Sequence, residues 1–175
     1  MSRTRIGILS DTHDNKWALA NILGRFREER VELVIHAGDY VAPFNAKHFA
    51  ELGGEFVGIF GNNDGERVGL TKAFAKIGPI HVGPHPIAVG KRRLLVMHEP
   101  AALEALGQSG AYDAVIYGHT HNLDIRQMPH TSGLGKTVVL NPGEAGGWLH
   151  DRATAVLLDL ETMACDLVEV PNRPA

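Results

Sequence analysis

The segment RIGILSDTH, residues 5–13, decides the fold, because a short apolar strand stops abruptly at polar residues. A strand is predicted over 5–10 and a helix over about 15–29. Asp14 lies just before that helix and is the expected N-cap. The helix is indicated by apolar residues at helical spacing, namely Leu19, Ile22, Leu23 and Phe26. The chain therefore begins with a strand followed by a helix, as α/β domains do.

The alternation of strand and helix continues to about residue 78, and strands dominate after that. In chain order we predict a strand over 32–37, a helix from Pro43 to about 53, a strand over 55–60, a helix over 70–77, a hairpin of 87–89 and 93–97, a helix over 101–106, strands over 114–117, 123–128 and 137–140, and a hairpin of 154–160 and 164–170. This order fits an α/β domain with two packed sheets and outer helices. Because the sequence has no repeat, low-complexity tract or linker, one domain is expected to cover 1–175.

The composition predicts a globular protein that neither wraps nucleic acid nor spans a membrane. Of the 175 residues 44% are hydrophobic, and the net charge is -3. That charge argues against binding nucleic acid through bulk attraction. No apolar stretch approaches the roughly 20 residues that a membrane span needs. The single cysteine, Cys165, cannot form an intramolecular disulfide, so a reducing cytoplasm is the expected location.

Five polar clusters come directly after predicted strands. They are Asp11-Thr12-His13, Gly38-Asp39, Gly61-Asn62-Asn63-Asp64, His98-Glu99 and Gly118-His119-Thr120-His121. Ligands bind beyond the carboxyl ends of strands in α/β sheets, so the clusters can converge on one site. Asp11 and His13 are two residues apart, as are His119 and His121, so in extended segments each pair would face the same way. Carboxylate, imidazole and amide ligands without a thiolate suit Mn²⁺, Fe or Zn²⁺.

These motifs, taken in order, resemble those of the calcineurin-like metallophosphoesterases, and most closely their small single-domain phosphodiesterase branch. The resemblance runs from Ile6 to about Gly143. It rests on SDTH at 10–13, HAGD at 36–39, GNND at 61–64, GHTH at 118–121 and NPG at 141–143. The resemblance implies a four-layer α-β-β-α sandwich, in which helices flank two packed mixed sheets.

The same resemblance implies two divalent metal ions, with Mn²⁺ expected first and Fe, Zn²⁺ or Ni²⁺ as alternatives. One ion would lie between Asp11, His13, Asp39 and His121, and the other between Asp39, Asn62, His98 and His119. Asp39 would bridge both ions, and the implied catalytic residues are Asp39, Asn62, His98 and His119. The chemistry that needs this arrangement is in-line hydrolysis at phosphorus, in which two cations neutralise charge and a hydroxide between them attacks.

Three residues depart from the family pattern. Asn63 occupies the position where many members have a histidine thought to assist the leaving group, and an amide cannot supply a proton as imidazolium does. Glu99 follows His98, where relatives usually have glycine. Its carboxylate either turns toward the metal ions or supports the N-terminus of the next helix. Asn63 and Glu99 are the candidate substrate-binding residues, and Glu144 follows Asn-Pro-Gly where relatives often have serine.

The expected function is hydrolysis of a phosphodiester, ahead of a phosphomonoester, in a small phosphorylated substrate. A nuclease is the enzymatic alternative, and its main support is the basic run Lys91-Arg92-Arg93. The fold also resembles that of the retromer scaffold subunit, so a non-catalytic protein-binding scaffold is the other alternative. Because all seven ligand positions hold competent ligands, the enzyme is favoured. A second copy of the chain remains open as a partner, whereas nucleic acid and membrane are not expected.

Overall fold

The structure is a computed structural model that describes residues 5–174. Its elements in chain order are β1 Arg5–Leu9, α1 Lys16–Glu28, β2 Leu33–His36, a 3₁₀ turn at Pro43–Asn45, α2 Ala46–Leu52, β3 Glu55–Ile59, α3 Arg67–Phe74, β4 Ile80–His81, β5 His85–Val89, β6 Arg92–Val96, α4 Leu103–Gln108, β7 Ala114–Ile116, β8 Leu123–Pro129, β9 Lys136–Pro142, β10 Ala153–Asp159 and β11 Cys165–Val170. Within residues 5–174, no helix is both long enough and apolar enough to cross a membrane.

The strands form two mixed sheets. The first has the order β11-β10-β1-β2-β3-β4, in which β1 to β4 are parallel and β10 and β11 are antiparallel to their neighbours. The second has the order β5-β6-β7-β9-β8, with a parallel centre of β6, β7 and β9. The parallel strands β1, β2 and β3 of one sheet, and β6 and β7 of the other, carry the five polar clusters beyond their carboxyl ends.

Residues of β1 and of β6 alternate between the core that the two sheets share and an outer core under the helices, as the period of a strand requires. On β1, Ile6 and Ile8 pack between the two sheets, whereas Leu9 joins the core under helices α1, α2 and α3. On β6, Leu94 packs between the sheets and Leu95 lies under α4. Helices therefore cover the outer face of each sheet. The four-layer α-β-β-α sandwich implied by the family resemblance is confirmed.

Helix α1 lies close against β1 because residue 7 is glycine. A Cβ atom at Gly7 would lie 2.4 Å from Cε2 of Phe26, which is fully buried. Any larger residue would force the Phe26 ring of α1 away from the strand that leads into Asp11. The packing of the first helix and the position of the first polar cluster are thus coupled.

Several predicted boundaries differ from the structure. The N-cap of α1 is Asn15, whose side chain accepts a hydrogen bond from Ala18 N, so the assignment of Asp14 was wrong. Asp14 instead accepts from the backbone N–H of Ala42 in the next loop. Helices α3 and α4 begin at Arg67 and Leu103 rather than at 70 and 101. Strand β4 was missed because it has only two residues and carries no periodic pattern.

Candidate metal centre

All seven sequence-predicted metal ligands meet at one edge of the sandwich. They follow β1, β2, β3, β6 and β7, and the polar atoms of each contact those of at least one other. We call Asp11, His13 and His121 the first cluster, and Asn62, His98 and His119 the second cluster. Asp39 lies between the two clusters.

The first cluster surrounds a buried carboxylate oxygen. Asp11 Oδ1 lies 3.4 Å from His121 Nε2 and 3.8 Å from His13 Nε2. The two Nε2 atoms are 3.3 Å apart, and the three ligand atoms all lie within 4.8 Å of one another. Among the described residues, Asp11 Oδ1 has no hydrogen-bond partner although it is buried. A buried oxygen without a partner is costly, and a cation bound between it and the two imidazoles would satisfy it.

The second cluster meets at the side-chain oxygen of Asn62. Asn62 Oδ1 lies 2.9 Å from His98 Nε2 and 2.8 Å from His119 Nδ1. His98 Nδ1 lies 2.8 Å from the carbonyl oxygen of Ala37, which can only accept, so this nitrogen carries a hydrogen and donates it. In neutral His98 the lone pair is therefore on Nε2, directed at the oxygens of Asn62 and Asp39. These atoms can only accept from one another, and a cation bound between them would interact favourably with the lone pair and with both oxygens.

The electrostatics of His13 and His98 agree with a site for positive charge. Burial opposes protonation of each ring, but the nearby carboxylates outweigh it and raise the pKa of both histidines. For His13 the main carboxylate is Asp11, and for His98 it is Asp39. The negative potential that attracts a proton to these rings also attracts a metal ion.

Asp39 connects the two clusters. Its Oδ2 lies 3.5 Å from His13 Nε2 and 3.4 Å from His98 Nε2. Asn63 donates to both of its oxygens, through the backbone N–H and the side-chain amide, each at 2.8 Å. Burial works against ionisation, but hydrogen bonds from His98 in its protonated form and from Asn63 outweigh it and hold the pKa of Asp39 well below its usual range. Asp39 is therefore a carboxylate at any physiological pH and faces both clusters.

The backbone around the centre turns sharply where the sequence suggested extended segments. Five of the seven predicted ligands have positive φ, namely Asp11 (55°), His13 (39°), Asp39 (63°), His119 (68°) and His121 (58°). The argument that residues two apart converge because they are extended was wrong, since left-handed turns bring them together. Each such residue costs about 1–3 kcal/mol, and strain of this kind concentrates at functional sites.

One glycine is required by the approach of Asp39. A Cβ atom at Gly61 would lie 2.1 Å from Asp39 Oδ1, so no other residue fits without moving the carboxylate. The Gly-Asn-Asn-Asp motif thus supplies three things in sequence: space for Asp39, a side-chain oxygen from Asn62, and two hydrogen bonds to Asp39 from Asn63.

Two buried carboxylates behind the ligands received no role from the sequence. Asp64 accepts hydrogen bonds from the backbone N–H groups of Gly61 (2.7 Å), Val41 (2.8 Å) and Asp39 (3.0 Å), so it joins the two loops that carry Asp39 and Asn62. Glu144 accepts from the backbone N–H groups of Trp148 and Leu149 and places Oε1 3.3 Å from His121 Nδ1. The available sequence signal for Asp64 was its place in the Gly-Asn-Asn-Asp motif after a predicted strand. An aspartate at such a place is also expected in an ordinary turn, so the motif does not show that Asp64 holds two loops together.

The histidine of the His-Ala-Gly-Asp motif supports the first loops and lies outside both clusters. His36 is fully buried and stacks on Tyr40 with ring centroids 3.8 Å apart. Burial, together with the nearby charge of His98, lowers the pKa of His36 to about 3. Its neutral ring accepts from the N–H of Gly38 and contacts the hydroxyl of Thr12, and Thr12 also donates to the Asp39 carbonyl.

The two candidate substrate-binding residues have different surroundings. The side chain of Asn63 is directed at Asp39. Glu99 is exposed and lines a cleft beside His98. It does not support the next helix, because α4 begins only at Leu103 and the acidic residue in its first turn is Glu104.

Comparison with known proteins gives a consistent result. A family model of the calcineurin-like phosphoesterase superfamily domain matches residues 4–163. Phosphodiesterase MJ0936 of Methanocaldococcus jannaschii is 37% identical over 161 residues, which cover 90% of this chain and 93% of that protein. A solved archaeal phosphodiesterase has a TM-score of 0.85 at 33% identity, covering 95% of this chain and all of that one. The phosphoesterase YfcE of E. coli shares the fold alone, with a TM-score of 0.64 at 18% identity, covering 97% of this chain and 100% of that one.

Proposed function

The chain belongs to the calcineurin-like phosphoesterase superfamily, and on that premise we propose that it hydrolyses phosphodiester bonds in small substrates with two divalent metal ions. The observation that carries the proposal is the position of Asp39. Its carboxylate lies within 3.5 Å of a histidine from each cluster. A single ionised carboxylate between two sets of ligands is what a dinuclear centre requires.

The residues present fit two ions. The first cluster with Asp39 would hold one ion, and the second cluster with Asp39 would hold the other. The donors are carboxylate and amide oxygens and imidazole nitrogens, which suit Mn²⁺, Fe, Zn²⁺ or Ni²⁺, and we propose Mn²⁺ first from the family resemblance. Two such ions, when bound, supply a nucleophile from water at neutral pH and neutralise charge on the phosphoryl group during in-line attack.

The residues around the ligands favour a diester over a monoester. Asn63 cannot deliver a proton to a leaving group, and its side chain holds Asp39. Asp11, Asp39, Glu99 and Glu144 place four carboxyl groups in or beside the centre. A monoester dianion meets more repulsion from these groups than a singly charged diester does. We therefore assign Asn63 and Glu99 an influence on substrate choice.

The test is an activity screen of the metal-reconstituted protein. The chain is treated with chelator, given back Mn²⁺, and assayed with bis(p-nitrophenyl) phosphate and with p-nitrophenyl phosphate. We expect hydrolysis of both to depend on the metal, with the diester favoured in kcat/KM. Metal-independent activity, or none on any diester with Mn²⁺, Fe²⁺, Zn²⁺ or Ni²⁺, contradicts the proposal. A tenfold preference for the monoester contradicts the diester assignment alone.

The nuclease alternative loses its main support in the structure. Arg92 pairs with Asp113 and donates to the carbonyl oxygens of Leu160 and Glu161. It begins β6, whereas His98 follows the other end of that strand. Arg93 donates to the carbonyl oxygen of Gly110, so both arginines of the basic run are engaged in local contacts at the end of the sheet away from the metal centre. We further propose, from the single Cys165, that the enzyme acts in the cytoplasm. We also propose that one domain covers 1–175, because the sequence has no linker, repeat or low-complexity tract.

A further inference from the structure

An open cleft, to which the proposed function assigns no part of the substrate, adjoins the second cluster. It measures about 370 Å³, and Asn62 and His98 form the wall that it shares with the metal centre. This volume lies within the roughly 300–1,000 Å³ of small-molecule sites. A phosphoryl group at the centre would therefore have one side facing a cavity large enough for a ring system.

One wall of the cleft carries a cation mounted on an aromatic ring. The guanidinium carbon of Arg67 lies 5.1 Å from the centroid of the Phe60 ring. Nε and Nη2 of Arg67 donate to the carbonyl oxygens of Asp64 and Gly61, at 3.3 and 3.4 Å. These bonds hold the planar group in place, and among the described residues no carboxylate forms an ion pair with it. Both Phe60 and Arg67 line the cleft.

The rest of the lining is largely apolar. Val82, Pro84 and Pro100 line the cleft, and 69% of Val82 is exposed. A planar guanidinium beside exposed aliphatic surface is suited to an aromatic ring, which can stack on the cation with one face and contact carbon with the rest. Glu99 also lines the cleft, and its charge disfavours an anionic group there.

From these features we propose that the cleft binds a neutral aromatic substituent of the phosphodiester, with Arg67 stacked on the ring. The inference rests on the proposed function, since it takes the phosphoryl group to lie beside Asn62 and His98. The preferred substrates are then diesters that carry an aromatic ring of up to nucleobase size, and simple alkyl diesters leave the cleft empty. Arg67 is the specificity-determining residue.

The test compares two inhibitors that share the phosphonate group and differ in the ring. Methyl phenylphosphonate and methyl methylphosphonate, which carry one negative charge as a diester does, are titrated against the Mn²⁺-loaded protein by calorimetry, and as inhibitors of bis(p-nitrophenyl) phosphate hydrolysis. We expect the parent to bind the phenyl compound at least about tenfold more tightly. In Arg67→Ala and Arg67→Lys that ratio falls to about threefold or less, because neither offers a planar face. Arg25→Ala, which removes an exposed arginine on α1, keeps the parental ratio and serves as the matched control.

Each other result overturns a specific statement. Equal binding of the two phosphonates by an active parent removes the cleft proposal and leaves the proposed function intact. An Arg67→Lys variant that keeps the parental ratio removes the stacking role. Equal loss of both phosphonates in Arg67→Ala shows that Arg67 only supports the Asn62 loop. Absence of hydrolysis of every diester contradicts the proposed function itself.

Discussion

The two clusters of the metal centre differ in how much of each is open to solvent. In the first cluster Asp11 is fully buried, and the side chains of His13 and His121 are 19% and 16% exposed. In the second cluster His98 is buried, whereas Asn62 and His119 are exposed. The first cluster is thus enclosed, and the second opens onto the cleft. We expect the first cluster to retain an ion more tightly and the second to be the side that substrate approaches.

The buried carboxylate behind each cluster acts differently. Glu144 faces a ligand side chain, since its Oε1 lies 3.3 Å from His121 Nδ1. Asp64 holds backbone instead, and its three hydrogen bonds join the loops of Asp39 and Gly61. A charge directed at a ligand strengthens one metal site, whereas a charge that fixes loops sets the spacing between sites. The first cluster therefore depends on the charge of Glu144, and the second cluster depends on the loop geometry that Asp64 fixes.

We expect the largest effect from Asp39→Asn, which should weaken both clusters alike. Asp39→Asn removes the charge that both share, so both ions are weakened and diester hydrolysis falls by about 10³-fold or more. Metal analysis by mass spectrometry after equilibration with Mn²⁺, together with kcat/KM, measures this. Asp166→Asn, at an exposed carboxylate on β11, is the control and keeps both values. An Asp39→Asn protein with full activity and two ions contradicts the shared role.

Removal of one histidine from each cluster separates the two sites. His13→Ala should weaken Mn²⁺ binding at the first cluster, the tighter class of site, by about 100-fold. His119→Ala should weaken binding only at the second cluster, the weaker class of site. Calorimetric titration of Mn²⁺ into each variant distinguishes the classes. If both variants weaken the same class equally, the enclosed and open clusters are not separate sites.

Asp64→Asn tests whether the buried Asp64 carboxylate holds the loops of the second cluster in place. An amide offers one acceptor oxygen and brings an N–H₂ group against backbone donors, so unfolding should become about 2–3 kcal/mol easier. The weaker class of Mn²⁺ sites should be lost before the tighter class. Chemical denaturation without metal gives the first value, and a Mn²⁺ titration gives the second. Unchanged stability would show that the three hydrogen bonds to Asp64 do not hold these loops together.

We expect the smallest effect from a change at Glu144, which faces His121 of the first cluster. Glu144→Gln keeps the size of the side chain and removes its charge, so the tighter Mn²⁺ class should weaken by about tenfold while the weaker class is unchanged. The melting temperature without metal serves as the check on folding. If that temperature falls and both Mn²⁺ affinities follow it equally, Glu144 acts on the 144–149 loop and not through His121.

Much of the fold followed from periodicity. The apolar run that begins at Ile6 predicted β1, and the helical spacing of Leu19 and Phe26 predicted α1. Convergence of the polar clusters followed from where the strands end. Helix starts were less accurate, because capping depends on which of two adjacent polar side chains faces the helix. Asp14 and Asn15 are both competent caps, and only the tertiary contact of Asp14 with Ala42 decides between them.

The supporting residues could not be predicted in the same way. Glu144 and Asp64 act on groups brought near by tertiary folding, and no local pattern marks a carboxylate that will be buried against distant backbone. The positive φ angles at Asp11 and His121 likewise depend on contacts between loops from different strands. The cleft beside Arg67 combines the segments after β3, β4 and β6 with the start of α3, so it exists only in the folded chain.

The most direct test of the account follows metal content and activity in one titration. Mn²⁺ is added stepwise to the metal-free protein, while bound metal per chain and hydrolysis of bis(p-nitrophenyl) phosphate are measured at each step. The account predicts two equivalents bound in sequence, with activity remaining low through the first and rising with the second. Full activity at one equivalent, or saturation at a single ion per chain, would contradict a dinuclear centre organised around Asp39.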